Sequence, residues 1–170
     1  VNMGAAIQAL EVSGLVTVDQ SLVNHLASVR LTGRLSRIQT EDFELVLDVA
    51  HNVESVSQLV QFLTDHPVSG KTAAVFGVMG DKPIHDMLAL CESAFDEWHL
   101  IDLCHVSRAM STDRLTEFLK PMGAPIHQGA FADLWQSLMT RVTTGDRVVV
   151  FGSFFSVGEA TPYLAAHYHD

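Results

Sequence analysis

The hydrophobic residues of this chain follow two patterns that alternate along its length. Short continuous apolar runs are typical of strands covered on both faces of a sheet. Between these runs, apolar residues recur at spacings of three and four, which is typical of a helix with one buried face. The strand-like runs cover residues 43–50, 72–79, 98–103 and 147–151, with a shorter candidate at 125–127, and the helical segments cover residues 54–63, 84–95, 111–119, 131–142 and about 156–166.

This alternation predicts an α/β fold, namely a three-layer Rossmann-like domain with a mostly parallel six-stranded sheet. The first thirty residues lack strand-like runs and instead predict two helices, at residues 4–13 and 19–29. A short break that contains Gly33 follows them. We therefore divide the chain into residues 1–33, the end of a preceding unit plus a linker, and residues 34–170, the α/β domain.

Composition and charge narrow the functional classes. The 170 residues are 48% hydrophobic and 18% charged, which is typical of a globular protein. The net charge is −10 and no basic run occurs, which argues against nucleic-acid binding through counterion release. No apolar run approaches the roughly 20 residues of a membrane helix, and the N-terminus lacks the basic segment of a signal peptide. Since residue 1 is Val, we expect the chain to begin inside a longer protein.

The two cysteines indicate a reducing compartment. Cys91 and Cys104 lie in apolar segments and form no paired framework. This usage favours two reduced thiols in the cytoplasm, and a disulfide between them is the alternative.

Polar residues interrupt the apolar pattern directly after three predicted strands, where open parallel sheets bind their ligands. The first group, at residues 48–52, reads DVAHN. A carboxylate at Asp48 can accept hydrogen bonds from two sugar hydroxyls, and His51 can donate to a phosphate or pack on a base. The alternative is that Asp48 and Asn52 only cap the helix that follows.

The second and third groups predict loops that expose backbone N–H groups. Residues 76–83 read FGVMGDKP, with two glycines after the strand and Asp-Lys before the next helix. Lys82 is a candidate for holding a substrate carboxylate, or else a surface lysine at an ordinary turn. Residues 151–156 read FGSFFS, and the start of the last helix there favours an anion. The alternative is that Ser153 only caps that helix.

The sequence lacks the motifs of several other kinds of functional site. Neither the P-loop G-x-x-x-x-G-K-[ST] nor the dinucleotide fingerprint G-x-G-x-x-G occurs, and no G-x-S-x-G elbow supports nucleophilic hydrolysis. No Cys/His cluster has zinc-site spacing, and the C-terminal His167 and His169 are read as a solvated tail rather than a chelate. We therefore expect no metal ligands in this chain.

Five segments, in order, resemble the folylpolyglutamate synthase and bifunctional dihydrofolate synthase family, a branch of the Mur ligase superfamily. The matching segments are Asn2 with its small-residue helix (N-A-x-x-A), Gly33-Arg34 (P-G-R), residues 48–52 (D-x-A-H-N), residues 76–82 (G-x-x-x-D-K) and residues 150–154 (late G-S-F). Val49 and Asn52 favour the folate branch, because the peptidoglycan members tend to carry Tyr and Thr there. Thr32 and Val53 stand where the family usually has Pro.

The resemblance implies a two-domain ATP-dependent ligase that joins L-glutamate to folates, and in bifunctional members to dihydropteroate, through an acyl phosphate. Residues 1–33 would end the ATPase domain, and residues 34–170 would form the C-terminal glutamate ligase domain. The P-loop, the Mg²⁺ ligands and a carbamylated lysine would lie in the N-terminal domain, so this chain alone would be inactive. A cytoplasmic monomer that binds neither nucleic acid nor membrane is expected.

The resemblance also implies roles for particular residues. Asn2 would face the adenine of ATP, Arg34 would reach the phosphates and stabilise transferring charge, Asp48 would hold the ribose hydroxyls, and His51 would contact the nucleotide. Arg34 and His51 would thereby serve catalysis as well as nucleotide binding. Lys82 and Ser153 would lie near the incoming glutamate.

Two other functions stay open on the sequence. One is the C-terminal domain of a peptidoglycan-precursor Mur ligase, with the same fold and chemistry but another acceptor. The other is a non-catalytic module that binds a nucleotide or another ligand. A Rossmann-like dehydrogenase domain is disfavoured because the glycine-rich fingerprint is missing.

Overall fold

The computed structural model describes residues 33–167, and side chains as far as residue 163. The predicted helices at 4–13 and 19–29, and Asn2, lie outside the described residues, so the division of the chain at residue 33 stays a prediction. The strands are β1 (Ser36–Gln39), β2 (Phe43–Asp48), β3 (Thr72–Phe76), β4 (Glu97–Ile101), β5 (Ile126–Gly129) and β6 (Asp146–Phe151). The helices are α1 (Val53–Asp65), α2 (Ile84–Ala89), α3 (Thr112–Leu119), α4 (Phe131–Met139) and α5 (Phe154–His167), with a 3₁₀ turn at Lys120–Met122.

The sheet confirms the predicted class. Its six strands lie in the order β1-β2-β6-β3-β4-β5, and every neighbouring pair is parallel except β1 with β2. The apolar pattern gave no sign of β1, because this four-residue strand lies at the edge and alternates between half-buried and exposed positions. A strand with one neighbour and one solvated face needs no continuous apolar run.

Helices cover both faces of the sheet and complete the three layers. On one face the buried residues of β2, β3, β4 and β6 pack against α1, α2 and α3. On the other face the alternate residues of these strands pack against α4 and α5. On the face covered by α1, α2 and α3, the core contains a group of aromatic rings in mutual contact: Phe76, Phe95, Trp98 and Phe151. Full burial of each such side chain contributes roughly 1.5–3 kcal/mol.

Several predicted elements end earlier than their apolar patterns. The strands predicted at 43–50 and 72–79 stop at Asp48 and Phe76, while the apolar residues beyond them stay buried in loops. The helix predicted at 84–95 ends at Ala89, and the chain continues in tight turns in which Cys91 N–H donates to Leu88 C=O over 2.8 Å. Cys91 and Phe95 nevertheless remain in the core. The apolar pattern therefore indicates which residues are buried, whereas the ends of a strand or helix depend on backbone hydrogen bonds.

A charged pair is buried within the sheet. Arg147 on β6 is 1% exposed and donates to the carboxylate of Glu44 on β2, which is 3% exposed and also accepts from Arg37. The Arg147 guanidinium further donates to the carbonyl oxygens of Leu63 and His66. These hydrogen bonds connect the end of α1 to the sheet. They also compensate much of the desolvation of the buried guanidinium and carboxylate.

Two further features of the described residues concern the cysteines and the helix lengths. Cys91 is buried and Cys104 is exposed, and both are free thiols. Burial raises the pKa of the Cys91 thiol to about 12. Within residues 33–167, no helix has both the length and the apolar character that crossing a bilayer requires.

Candidate functional site

The carboxyl ends of three neighbouring strands form one edge of the sheet. Asp48 ends β2 and pairs with Phe151, which ends β6, and Phe151 pairs in turn with Phe76, which ends β3. The residues that follow these strands are the three polar groups that the sequence singled out. We call the loops after β2, β3 and β6 the carboxyl edge, and the structure brings all three groups to it.

The Gly33–Arg34 turn reaches the same edge, because β1 runs antiparallel to β2 and so begins where β2 ends. The Val49 N–H donates to the Gly33 carbonyl over 2.7 Å. Gly33 has a φ of +78°, and a Cβ there would lie 3.1 Å from Val49 Cγ1 and 3.2 Å from Val157 Cγ1. Glycine is therefore needed for both conformation and space. The turn leaves Arg34 exposed to solvent.

Asp48 is buried at the centre of this arrangement. Its carboxylate accepts from the Ala50 N–H over 3.0 Å and from the Leu35 N–H. Burial raises the pKa of Asp48 to about 6, against the opposing effects of these two N–H groups and of the charges on Arg34 and His51. The structure thus brings Arg34 and His51, two further residues singled out by the sequence, each within electrostatic reach of Asp48.

The tautomer of His51 follows from its backbone contact. Its Nδ1 lies 2.7 Å from the Val49 carbonyl oxygen, so Nδ1 carries a proton and donates. In the neutral ring Nε2 is then an acceptor, and only the protonated ring donates from Nε2 to a phosphate. The imidazole lies beside the Phe154 ring, with a centroid separation of 6.4 Å and an angle of 43° between the planes.

Asn52, and not Asp48, caps the helix that follows. The Asn52 side chain accepts from the Ser55 N–H over 2.8 Å, and the Ser55 hydroxyl lies 3.2 Å from the Asn52 N–H, which completes a capping box. The capping alternative is therefore correct for Asn52 and wrong for Asp48, whose partners precede the helix. The Asp48 carboxylate therefore lies at the end of β2, before the loop that leads to α1.

Lys82 lies in the loop after β3. The Gly80 N–H donates to the Arg108 carbonyl over 2.7 Å, which holds this loop against the segment after β4. The Lys82 ammonium lies 3.1 Å from Asp81 Oδ2, and its side chain is 28% exposed. The hydrogen bond from Lys82 lowers the pKa of Asp81. An ammonium has three N–H donors, of which Asp81 takes one, so Lys82 can still hold a carboxylate.

Ser153 is the N-cap of α5. Its hydroxyl oxygen accepts from the Ser156 N–H over 3.0 Å and lies 2.9 Å from the Ser156 hydroxyl. Because the Ser156 hydroxyl donates to the Gly77 carbonyl over 2.6 Å, the Ser153 hydroxyl must donate to Ser156. Ser153 is 4% exposed and its single proton is used within the protein. The geometry supports the capping alternative, and glutamate binding by this side chain stays a prediction.

Two exposed aromatic residues at the carboxyl edge escaped sequence reasoning. Phe154 is 64% exposed beside His51, and Phe155 is 45% exposed. The sequence did contain a sign of an aromatic pair at this edge, because Phe154 and Phe155 directly follow the Gly-Ser turn. The apolar pattern predicted the last helix from about residue 156 and gave these two rings no role, since it cannot distinguish an apolar residue in the core from one at an open edge.

The carboxyl edge offers no set of metal ligands within the described part of the chain. There, the three metal-ligating side chains that do lie together are on β4 and β5. Asp48 accepts from two backbone N–H groups, and Asp81 pairs with Lys82. The donors at this edge are those that bind a nucleotide or a carboxylate: an exposed guanidinium, a buried carboxylate, an imidazole and an ammonium.

Comparisons with known proteins identify the family of this chain. The family described as Mur ligase, glutamate ligase domain, matches residues 33–154. Over 165 residues the chain is 30% identical to the dihydrofolate synthase/folylpolyglutamate synthase of Escherichia coli strain K12, which covers 97% of this chain and 38% of that protein.

Solved structures show the same similarity. Escherichia coli FolC in complex with DHPP and ADP has a TM-score of 0.82 and 28% identity, over 99% of this chain and 39% of that one. A bifunctional folylpolyglutamate synthase/dihydrofolate synthase with Mn, AMPPNP and L-glutamate bound has a TM-score of 0.79 and 28% identity, over 93% and 38%. The chain therefore spans just under two fifths of the length of these relatives.

Proposed function

This chain belongs to the Mur ligase glutamate ligase domain family, and from that premise we propose that it is the C-terminal domain of an ATP-dependent ligase that adds L-glutamate to folates, and to dihydropteroate, through an acyl-phosphate intermediate. The substrates would then be ATP, L-glutamate and a pteroate or folate. The partner domain would be an N-terminal ATPase domain of the same protein. We further propose that the protein is a monomer and that it lies in the cytoplasm; the two free thiols support the compartment.

One observation carries this proposal: Arg34, Asp48 and His51 lie together at the carboxyl edge. Arg34 comes from the turn before β1, Asp48 from the end of β2 and His51 from the loop after it, and the family match covers all three. ADP, AMPPNP and L-glutamate are present in similar solved structures. A cation, a buried carboxylate and an imidazole at the ends of parallel strands form a suitable site for the nucleotide of such a ligase.

Each side chain would contribute a separate interaction. The exposed Arg34 guanidinium is permanently charged and would stabilise negative charge on the transferring phosphate. Asp48 keeps acceptor capacity beyond its two backbone N–H partners and would accept from ribose hydroxyls. His51, with Nδ1 donating to Val49, would present Nε2 as an acceptor to the nucleotide.

Lys82 would bind a carboxylate of the incoming L-glutamate. The amine of the glutamate would then be positioned to attack the acyl phosphate. Mg²⁺ bound with ATP would supply neutralisation of the phosphate charge, and its ligands would lie in the N-terminal domain. Closure of that domain over the carboxyl edge would exclude water, which otherwise hydrolyses an acyl phosphate.

The test is a ligase assay on the full-length protein with ATP, Mg²⁺ and L-glutamate. Separate reactions would contain dihydropteroate, a reduced folate or a UDP-muramyl peptide. Turnover with both pteridine substrates supports the bifunctional enzyme, and turnover with reduced folate alone supports the polyglutamylating one. Turnover with the muramyl peptide alone would move the protein to the peptidoglycan branch. Nucleotide binding without any turnover would favour the non-catalytic module.

A matched pair of variants connects the activity to this domain. Arg34→Gln is expected to lower kcat by about 100-fold, as for loss of one group that stabilises transition-state charge. Arg114→Gln, at another exposed arginine on α3, is the control and should retain full activity. Equal activity in both variants would remove Arg34 from the proposed mechanism.

A further inference from the structure

Glu97, His99 and His127 converge on one face of the sheet, away from the carboxyl edge. Glu97 and His99 are two residues apart on β4 and therefore share a face. His127 on β5 pairs directly with His99 in the parallel register, and the two imidazole rings stack at a centroid separation of 4.8 Å. We propose that these three side chains form a binding site for a divalent transition metal ion, for which Zn²⁺ is the best match.

The distances are close to those of a coordination sphere. Glu97 Oε1 lies 3.2 Å from His99 Nε2, and Glu97 Oε2 lies 3.9 Å from His127 Nε2. One ligand atom from each residue lies within 4.8 Å of the others. Bonds of 2.0–2.2 Å in a tetrahedral site place ligand atoms about 3.3 Å apart. A small rotation of His127, whose side chain is 42% exposed, would close the remaining gap.

Hydrogen bonding alone does not account for the burial of His99. The residue is 0% exposed, and its Nδ1 has no hydrogen-bond partner among the described residues. Nε2 contacts only the Glu97 carboxylate, so the ring is half satisfied in a position that water cannot reach. The ligand atom of the proposed site is Nε2, which already faces the Glu97 carboxylate beside a second imidazole, an arrangement suited to a metal ion.

The donor chemistry selects the class of metal. Two imidazoles and one carboxylate suit Zn²⁺ and its neighbours among the transition metals, whereas Mg²⁺ prefers oxygen ligands. The site is therefore different in kind from a magnesium site for ATP. A fourth position would remain for water, on the solvent side where His127 is half exposed.

Arg141 would act as the outer support of this site. Its Nη1 donates to Glu97 Oε2 over 3.0 Å, and its Nε donates to the Ser137 carbonyl over 3.4 Å. This contact holds the Glu97 carboxylate in an orientation in which its other oxygen, Oε1, faces His99. Partners of this kind orient the groups that hold a metal. A bound ion would join β5, the outermost strand of the sheet, to β4 through side chains.

The test measures Zn²⁺ binding to the full chain by competition with a chromophoric chelator, without nucleotide. His127→Ala is the main variant, because this half-exposed residue contributes little to the core. His85→Ala is the matched control, because His85 is 82% exposed on α2 and belongs to no such cluster. Far-UV circular dichroism of the metal-free proteins confirms that each variant is folded.

We expect one Zn²⁺ per wild-type chain and at least about a tenfold loss of affinity in His127→Ala, since loss of an outer partner alone costs 10–100-fold. His85→Ala should bind as the wild type does. At equal concentration, Zn²⁺ should also raise the Tm of the wild type and of His85→Ala more than that of His127→Ala. An absence of stoichiometric binding, or equal binding by the His127→Ala variant and the wild type, would overturn the proposal.

Discussion

The carboxylate of Asp48 accepts a hydrogen bond from the backbone N–H of Ala50 over 3.0 Å, in a position where Asp48 is 5% exposed. Burial outweighs the stabilising contacts and raises the pKa of Asp48 from 3.8 to about 6. The folded protein therefore binds a proton at Asp48 more tightly than the unfolded chain does. Ionisation of Asp48, which the proposed ribose contact uses, therefore costs the folded protein stability.

The sign of the pH dependence follows from this shift. Between about pH 4 and pH 6 the folded state keeps a proton that the unfolded state has lost, so the free energy of unfolding falls as the pH rises. The Asp48 contribution amounts to at most about 3 kcal/mol and is complete above pH 6. Urea denaturation of the wild type and Asp48→Asn at pH 4 and pH 7 measures it.

The control for this measurement is Glu92→Gln, at an exposed carboxyl. Glu92→Gln should reproduce the wild-type pH dependence, while Asp48→Asn should lack the part that Asp48 contributes. The same slope in Asp48→Asn and in the wild type would contradict the assigned pKa.

His51→Gln is expected to raise the KM for ATP several-fold with little change in Tm. The proposed nucleotide contact uses Nε2 of a half-buried ring, and glutamine lacks the ring. The matched control is His66→Gln, because the exposed His66 also donates from Nδ1 to a backbone carbonyl, that of Phe62, over 2.9 Å. Steady-state kinetics and thermal melts of both variants separate the two roles. A fall in Tm with an unchanged KM would make His51 a structural residue only.

Phe154→Ala is expected to weaken ATP binding about 5- to 100-fold, the range in which loss of an aromatic contact with a base falls. The ring is 64% exposed beside His51, so its removal should leave the Tm nearly unchanged. Phe155→Ala is the control, since that ring is also exposed at the start of α5. Equilibrium dialysis with labelled ATP on the full-length protein measures the effect. Equal losses in the two variants would indicate a general effect on the helix start.

Ser153→Ala distinguishes a helix cap from a glutamate ligand. The hydroxyl caps α5 and connects through Ser156 to the Gly77 carbonyl. We expect the variant to lose about 1–2 kcal/mol of stability and to keep the KM for L-glutamate of the wild type. Lys82→Met should instead raise that KM, with Lys120→Met as the exposed control. An increase in the KM for L-glutamate in Ser153→Ala would restore Ser153 to the substrate site.

The buried pair of Arg147 and Glu44 gives a prediction about stability. Arg147→Met should lower the free energy of unfolding by about 3–5 kcal/mol, because it leaves the Glu44 carboxylate buried with only Arg37 as a charged partner. The double variant Arg147→Met/Glu44→Leu should recover much of the loss, since it removes both charges. Urea denaturation of the three proteins tests this. A double variant less stable than Arg147→Met would show that the pair itself contributes net stability.

The order of apolar runs was enough to predict the α/β class, because a strand buried on both faces needs an unbroken apolar stretch and a covering helix needs a three- and four-residue spacing. The places of Asp48, His51 and Lys82 also followed from sequence, since Asp48 lies near the end of such a run and the other two follow one. Element ends and the edge strand β1 did not follow, because they depend on backbone hydrogen bonds to segments distant in sequence. Ser153 and Asn52 show the same limit, since a serine or asparagine after a strand suits a helix cap and a ligand equally.

What the amino-acid sequence determined by itself was therefore local: which segments are buried, which residues follow strands and which motifs stand in order. Only the tertiary structure decided which side chains from distant segments come into contact. The register of β4 with β5 placed His127 beside His99, although 28 residues separate them in sequence and no spacing rule connects them. It also decided that the Ser156 hydroxyl reaches the Gly77 carbonyl, and that burial raises the pKa of Asp48. Such properties depend on neighbours that only the folded chain supplies.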